Sequence, residues 1–181
     1  TQAECEHIFI GKAVRDERTR IERETGQPLT EDWMRAFYAR RDQRLRAELQ
    51  AMDGALQAVA ASHRHTGGRI ACASGADRPK VVMQIEMAGM HPYFGDRIFS
   101  GHDQPRSKPA PDVYLAAAAH LGVNPARCLV IEDTATGVRA GLDAGATVWG
   151  YCPAGHGRAF HGLPVARVFN HMDELVAAMG G

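Results

Sequence analysis

Ser74 and Gly75 form the first of three short segments whose residue types could bind a phosphate group. They end a short apolar run and precede a predicted helix. A serine hydroxyl together with backbone amides at a helix N-terminus forms a ready anion site. The alternative is an ordinary strand-to-helix turn, in which Ser74 or Asp77 caps the helix.

Lys108 lies in the second segment, Lys108-Pro109-Ala110-Pro111-Asp112, where two prolines fix the backbone just before a predicted helix. An ammonium group is a compact point charge that suits phosphate. Lysine is also rare in this chain, with three lysines against eighteen arginines. The segment therefore favours a phosphate-binding lysine, and a solvated surface lysine is the alternative.

Glu132 and Asp133 are adjacent carboxylates that close an apolar run over residues 128–131. Burying them side by side would be costly, because desolvation and like charge both oppose ionisation. Mg²⁺ would remove this conflict, since it prefers one or two carboxylates together with waters and substrate phosphate. The alternative makes Asp133 the N-cap of a helix that begins near Ala135 and leaves Glu132 in solvent.

Short apolar runs alternate with helical stretches after residue 50, which predicts an α/β domain. The uninterrupted apolar runs favour a parallel sheet with helices on both faces. Ligands gather at the carboxyl ends of such strands, so the three segments should meet there. The predicted strands are 69–74, 98–100, 128–131, 147–152 and 167–169, and the predicted helices are 55–64, 78–88, 111–121, 135–144 and 172–179.

Residues 1–50 differ from the rest in charge density, with 10 basic and 10 acidic residues against 11 of each in residues 51–181. This first part predicts solvated helices, one over residues 31–50 with Thr30 as its N-cap. Over the whole chain 21 basic and 21 acidic residues cancel. No net field therefore attracts nucleic acid or an anionic membrane, and no apolar run approaches the ~20 residues of a membrane span. Four widely separated cysteines favour reduced thiols and a cytoplasmic protein.

The three segments, in this order, resemble the motifs of the haloacid dehalogenase-like hydrolases, in particular the β-phosphoglucomutase-like phosphatases with a helical cap. Ala73-Ser74-Gly75 is similar to the second motif of that family, the segment beginning at Lys108 to the third, and Val130-Ile131-Glu132-Asp133-Thr134 to the fourth. The resemblance implies a Rossmann-like parallel sheet in residues 51–181. It also implies a partial helical cap domain in residues 1–50, with Phe9-Ile10-Gly11 like the turn that faces the active site.

The resemblance further implies a Mg²⁺-dependent phosphatase in which an aspartate attacks the phosphoryl group and forms an aspartyl-phosphate. Ser74 and the Gly75 amide would bind phosphate, and Lys108 would be catalytic, bridging the phosphate and the nucleophile. Glu132 and Asp133 would hold Mg²⁺. The implied substrate is a small phosphorylated metabolite such as a sugar phosphate, and the implied assembly is a monomer or a homodimer.

The first motif of that family, D-x-D, is absent from these 181 residues. In the family it ends the central strand, between the strands that here end near Ser74 and near Asp133. We therefore expect the chain to be a fragment that lacks the central first strand and its nucleophile, and to be inactive alone. The alternatives are a non-catalytic remnant that binds a phosphorylated ligand or a partner chain, and a phosphomutase of the same family.

Overall fold

The chain forms two compact units, residues 1–50 and residues 51–181. A computed structural model describes residue 4, residues 14–153, residue 160 and residues 162–180. The predicted turn Phe9-Ile10-Gly11 lies outside the described part of the chain.

From residue 14 onward, the first unit contains two helices, α1 (Arg18–Thr25) and α2 (Glu31–Glu48). The Thr30 side chain accepts a hydrogen bond from the Trp33 amide, which confirms the predicted N-cap. No residue of either helix is buried, and their charged side chains form exposed ion pairs such as Arg44–Glu48. In the described residues of this unit, the helices therefore expose their charged side chains to solvent, as the sequence predicts.

The second unit alternates strands and helices, as its changing hydrophobic period predicts. None of the helices in the described residues has the length and apolar composition needed to cross a bilayer. The elements are α3 (Ala55–His65), β1 (Cys72–Ser74), α4 (Arg78–Met87), α5 (His91–Phe94), β2 (Ile98–Ser100), α6 (Asp112–His120), β3 (Leu129–Glu132), α7 (Ala135–Asp143), β4 (Thr147–Tyr151), β5 (Arg167–Phe169) and α8 (Met172–Ala178).

The strands pair in parallel in two groups, β1 with β2 and β3 with β4 with β5. This arrangement confirms the predicted α/β fold with parallel strands. Within the described residues, β1 pairs with β2 alone and β3 with β4 alone. The first strand is shorter than the predicted 69–74, because β2 provides partners only for Cys72, Ala73 and Ser74.

Helices cover both faces of the three-stranded group, and the alternation of side chains along β4 shows how. Val148 and Cys152 pack into a cluster with Val138 of α7. Trp149 and Tyr151, which point to the other face, pack against a cluster that contains Ala58 of α3 and Leu175 of α8. Side chains that alternate along β4 therefore pack against helices on opposite sides, as a doubly covered parallel sheet requires.

Glycine allows α7 to lie directly on its sheet. A Cβ added at Gly141 would come within 2.9 Å of Val148 in β4, closer than normal packing allows. Gly145 follows the C-cap Ala144 of this helix, and its φ of +83° favours glycine. Gly141 therefore permits close packing of α7 on the sheet, and Gly145 permits the turn that follows the helix.

Candidate functional site

Lys108 joins the carboxyl ends of β1 and β3. Its Nζ donates to the carbonyl oxygen of Ala73 in β1 at 3.2 Å and to Oε1 of Glu132 in β3 at 2.5 Å. It also donates to the hydroxyl of Tyr114 at 2.8 Å. The structure therefore brings together Lys108, Glu132 and the strand end that carries Ser74, as the sequence predicts for three neighbouring strand ends.

Lys108 is buried, with only 8% of its side chain exposed, and Glu132 is buried to the same extent at 7%. The alternative of a solvated surface lysine is therefore wrong. A buried ion pair is tolerable only when additional hydrogen bonds satisfy the remaining polar atoms. The three ammonium protons of Lys108 find three acceptors within the described residues.

Glu132 receives hydrogen bonds on both carboxylate oxygens. Oε1 accepts from Lys108 and from the Tyr114 hydroxyl, and Oε2 accepts from the amides of Asp133 and Thr134 and from the Thr134 hydroxyl. Burial opposes the charge of Glu132, but the Lys108 ammonium and these hydrogen bonds outweigh it, so its pKa lies below the usual value. Glu132 is thus a fixed anion that holds Lys108.

The start of α7 is shaped around this carboxylate. Thr134 is the N-cap of the helix, because its hydroxyl accepts the Gly137 amide at 3.0 Å, so the alternative that assigned this cap to Asp133 is wrong. A Cβ added at Gly137 would lie 2.0 Å from the carboxyl carbon of Glu132. Only glycine at this position leaves room for the Glu132 side chain.

Asp133 lies next to the buried pair but is exposed. Partial desolvation and the neighbouring charge of Glu132 raise its pKa. No salt bridge to Asp133 is present among the described residues, and those residues contain no cluster of three or more His, Cys, Asp or Glu side chains that could hold a metal. Asp133 is thus an accessible carboxylate, the type of oxygen ligand that Mg²⁺ prefers. Both oxygens of Glu132, the other expected metal ligand, already accept hydrogen bonds.

Ser74 lies at the end of β1, where two loops run side by side. Its Oγ accepts a hydrogen bond from the Ala76 amide at 3.2 Å, while Asp77 caps α4 through the Lys80 amide. The loop after β2 is close, since a Cβ added at Gly101 would lie 3.5 Å from the Cα of Gly75. The capping alternative for this turn is therefore present. The Ser74 hydroxyl donates no hydrogen bond to any residue that the structure describes.

The loop that carries Lys108 is closed by an ion pair. Arg106 donates to both carboxylate oxygens of Asp112 at 3.2 and 2.8 Å. Asp112 begins α6, so the pair spans the segment that contains Lys108 and both prolines. Such a bidentate contact restricts the segment in which Lys108 lies.

Two residues that contact Glu132 were not predicted from the sequence. Tyr114 falls in an apolar, alanine-rich helical stretch and carries no motif of its own. Thr134 follows the two carboxylates. Threonine is a common N-cap and a helix is predicted to begin next to it, and this was the only sign in the sequence of its role as a helix cap.

Several known proteins are similar to this chain in sequence. The family described as "haloacid dehalogenase-like hydrolase" matches residues 2–145. The 6-phosphogluconate phosphatase of Escherichia coli K12 is 31% identical over 133 residues, which cover 71% of this chain and 56% of that protein. The N-acylneuraminate-9-phosphatase of Rattus norvegicus is 37% identical over 84 residues, 45% of this chain and 34% of that protein. The chain thus spans about half the length of the first of these relatives, and less of the second.

Solved structures give the same result for the fold. A hydrolase from Deinococcus radiodurans with bound phosphate and sodium is 30% identical, with a TM-score of 0.70 over 95% of this chain and 78% of that one. A β-phosphoglucomutase-like protein from Thermotoga maritima has a TM-score of 0.74 over 98% and 82% of the two chains, and at 19% identity it supports the fold alone.

Proposed function

This chain belongs to the haloacid dehalogenase-like hydrolase family, and we propose that it forms part of a Mg²⁺-dependent phosphatase of a small phosphorylated metabolite. The observation that carries this proposal is the position of Lys108, a buried cation held between the ends of β1 and β3 by Ala73 and Glu132. A fixed positive charge at a strand end can neutralise a phosphoryl group as negative charge accumulates on it.

Each of the described site residues would have a separate role in catalysis. The Ser74 hydroxyl and the Gly75 amide bind phosphoryl oxygens. Lys108 neutralises their charge, and Glu132 orients Lys108. Asp133, next to Glu132, holds the metal, which supplies further neutralisation of the phosphoryl oxygens when it is bound.

The substrate class is supported by the relatives. The two phosphatases named above act on 6-phosphogluconate and on N-acylneuraminate 9-phosphate. We therefore propose a small metabolite with a phosphate ester, such as a sugar phosphate, as the substrate of this protein in the cytoplasm.

The attacking carboxylate is proposed to come from outside these 181 residues. No Asp-x-Asp pair occurs in the sequence, and within the described residues β1 and β3 each pair with one neighbour only. An aspartate between these two strand ends would face Lys108. The absence of the motif equally favours a second candidate function, a non-catalytic remnant that binds a phosphorylated ligand or a partner chain.

Replacing Asp133 tests the proposal. In the natural protein that contains these residues, Asp133→Ala should remove metal-dependent turnover of a generic phosphate ester, with kcat lower by about a thousandfold, because several kcal/mol of transition-state stabilisation are lost. The measurement is steady-state hydrolysis with and without Mg²⁺.

Asp143→Ala is the matched control, since Asp143 is an exposed aspartate at the far end of α7. It should leave hydrolysis unchanged. Metal-dependent activity retained in Asp133→Ala would contradict the metal assignment. Phosphate binding without any turnover in the natural protein would favour the non-catalytic candidate instead.

A further inference from the structure

Tyr114 shares the polar centre of the site with Lys108 and Glu132. It is the third residue of α6 and lies six positions after Lys108. Its hydroxyl accepts a hydrogen bond from the Lys108 ammonium at 2.8 Å and donates one to Oε1 of Glu132. The three groups therefore form a closed triangle of hydrogen bonds, because Lys108 also donates to the same oxygen of Glu132.

The ring of Tyr114 makes a separate contact with the same ammonium. Lys108 Nζ lies 4.6 Å from the centre of the ring, within the range of a cation–π interaction. A phenylalanine would keep this contact and lose only the hydroxyl. The side chain thus offers two interactions that a single conservative substitution separates.

We propose that Tyr114 is a positioning residue that fixes the direction of the Lys108 ammonium through its hydroxyl. This inference deepens the proposed function and depends on it only for the part played in turnover. Without the hydroxyl, Lys108 keeps Ala73 and Glu132 as acceptors, and its third proton loses its acceptor. Since Lys108 and Glu132 are both almost fully buried, water cannot readily replace the lost group.

The hydroxyl also keeps Glu132 satisfied when Lys108 turns toward a phosphoryl group. All three ammonium protons are engaged in the structure, so contact with an incoming phosphoryl oxygen requires that one of them leaves its acceptor. If Lys108 gives up its hydrogen bond to Glu132, the Tyr114 hydroxyl still donates to Oε1 of Glu132. Tyr114 therefore lowers the cost of moving Lys108 from its resting partner to a ligand.

The first test observes Lys108 directly and needs no turnover. The protein is labelled with isotopic lysine, and the ammonium resonances are recorded by nuclear magnetic resonance; the chain contributes only Lys12, Lys80 and Lys108. Lys108→Arg identifies the resonance of Lys108. In Tyr114→Phe that resonance should shift and its protons should exchange with water about tenfold faster, as expected for the loss of one buried hydrogen bond, while the resonance of Lys80 should stay in place.

The second test separates positioning from packing. In the natural protein Tyr114→Phe should lower kcat about tenfold and change KM by less than about twofold, since the hydroxyl acts when charge develops rather than in substrate binding. Tyr93→Phe is the matched control, because the Tyr93 ring packs against His63, whereas the Lys108 ammonium donates to Ala73, Tyr114 and Glu132. It should alter neither kcat nor the Lys108 resonance.

An unchanged Lys108 resonance in Tyr114→Phe, or a Lys108 ammonium that exchanges as fast as Lys80 in the unaltered protein, would overturn the inference. An unchanged kcat would overturn it as well. A natural protein that never turns over a phosphate ester, yet shows the shifted resonance, would reject the proposed function and leave the positioning of Lys108 by Tyr114 intact.

Discussion

Two regions of this molecule use ion pairs in opposite ways. In the first unit Arg44 and Glu48 lie 3.1 Å apart on α2 with 78% and 64% of their side chains exposed. In the second unit Lys108 and Glu132 lie 2.5 Å apart with 8% and 7% exposed. Water and salt screen the first pair, whereas the second pair interacts in a medium of low dielectric constant.

The difference shows that the candidate site does not lie where charge density along the chain is highest. The first unit is more than twice as charged per residue, and none of the residues in its two described helices is buried. The second unit buries a single lysine against a single glutamate and surrounds the glutamate with donors. A cation that is buried, with its protons held in fixed hydrogen bonds, interacts electrostatically with a phosphate group far more strongly than a solvated cation does.

The largest expected effect tests this contrast directly. Lys108→Met removes the ammonium and leaves Glu132 buried without its cation. We expect the free energy of unfolding to fall by about 3–5 kcal/mol, the usual cost of breaking one side of a buried pair. Urea unfolding followed by circular dichroism measures the change.

Arg44→Met is the counterpart in the first unit. It breaks an exposed pair within one helix, so the loss should be no more than about 0.5 kcal/mol. Equal losses in the two variants would remove the distinction between the regions.

A smaller effect is expected where the backbone makes room for the carboxylate. Gly137→Ala would place a methyl group 2.0 Å from the Glu132 carboxyl carbon. Glu132 or α7 must then move, and we expect a loss of about 1–3 kcal/mol in the same unfolding measurement. Gly101→Ala is the matched control, because its added Cβ meets its nearest neighbours only at 3.5 Å. Similar losses at both glycines would show that Glu132 does not constrain the start of α7.

The smallest effect concerns pH, since protonation neutralises Glu132 without removing an atom. Its pKa is lower in the folded chain than its ordinary value of 4.5, so its contribution to stability is present above that value. The contribution is lost as pH falls through the lowered pKa of the folded state. Melting temperatures recorded from neutral to acid pH should therefore fall less steeply in Glu132→Gln than in the unaltered protein.

Asp133 contributes to the pH dependence of stability with the opposite sign. Its pKa is raised in the folded state, so its protonation at acid pH favours folding. Parallel curves for Glu132→Gln and the unaltered protein would contradict the assignment.

Much of the fold could be predicted from hydrophobic period and helix signals. Ile98–Ser100 and Arg167–Phe169 are strands with the predicted bounds, and Thr30 caps its helix as expected. The strand before Gly75 is shorter than predicted, because pairing depends on a partner strand that local sequence does not reveal. The short helix His91–Phe94 was missed, since four residues give too little period to recognise.

The site was predictable only where a residue type stands out from its surroundings. Lys108 is one of three lysines and directly precedes a segment with two prolines, and Glu132 and Asp133 close an apolar run. The sequence does not show which of the two adjacent carboxylates, Glu132 or Asp133, is buried. Burial depends on which of them contacts Lys108, which lies 24 positions before Glu132. Tyr114 was missed because its hydroxyl faces a partner in another element, and its neighbours in sequence are apolar.

The contact between Lys108 and the Ala73 carbonyl has a mechanical consequence. Within the described residues the two parallel strand groups do not pair with each other, and this ammonium is bonded to both. An anion that draws Lys108 away from Ala73 therefore breaks a hydrogen bond that links the two strand groups. Breaking that bond costs free energy and so reduces the affinity for the anion. It also makes this unit less rigid while the anion is bound.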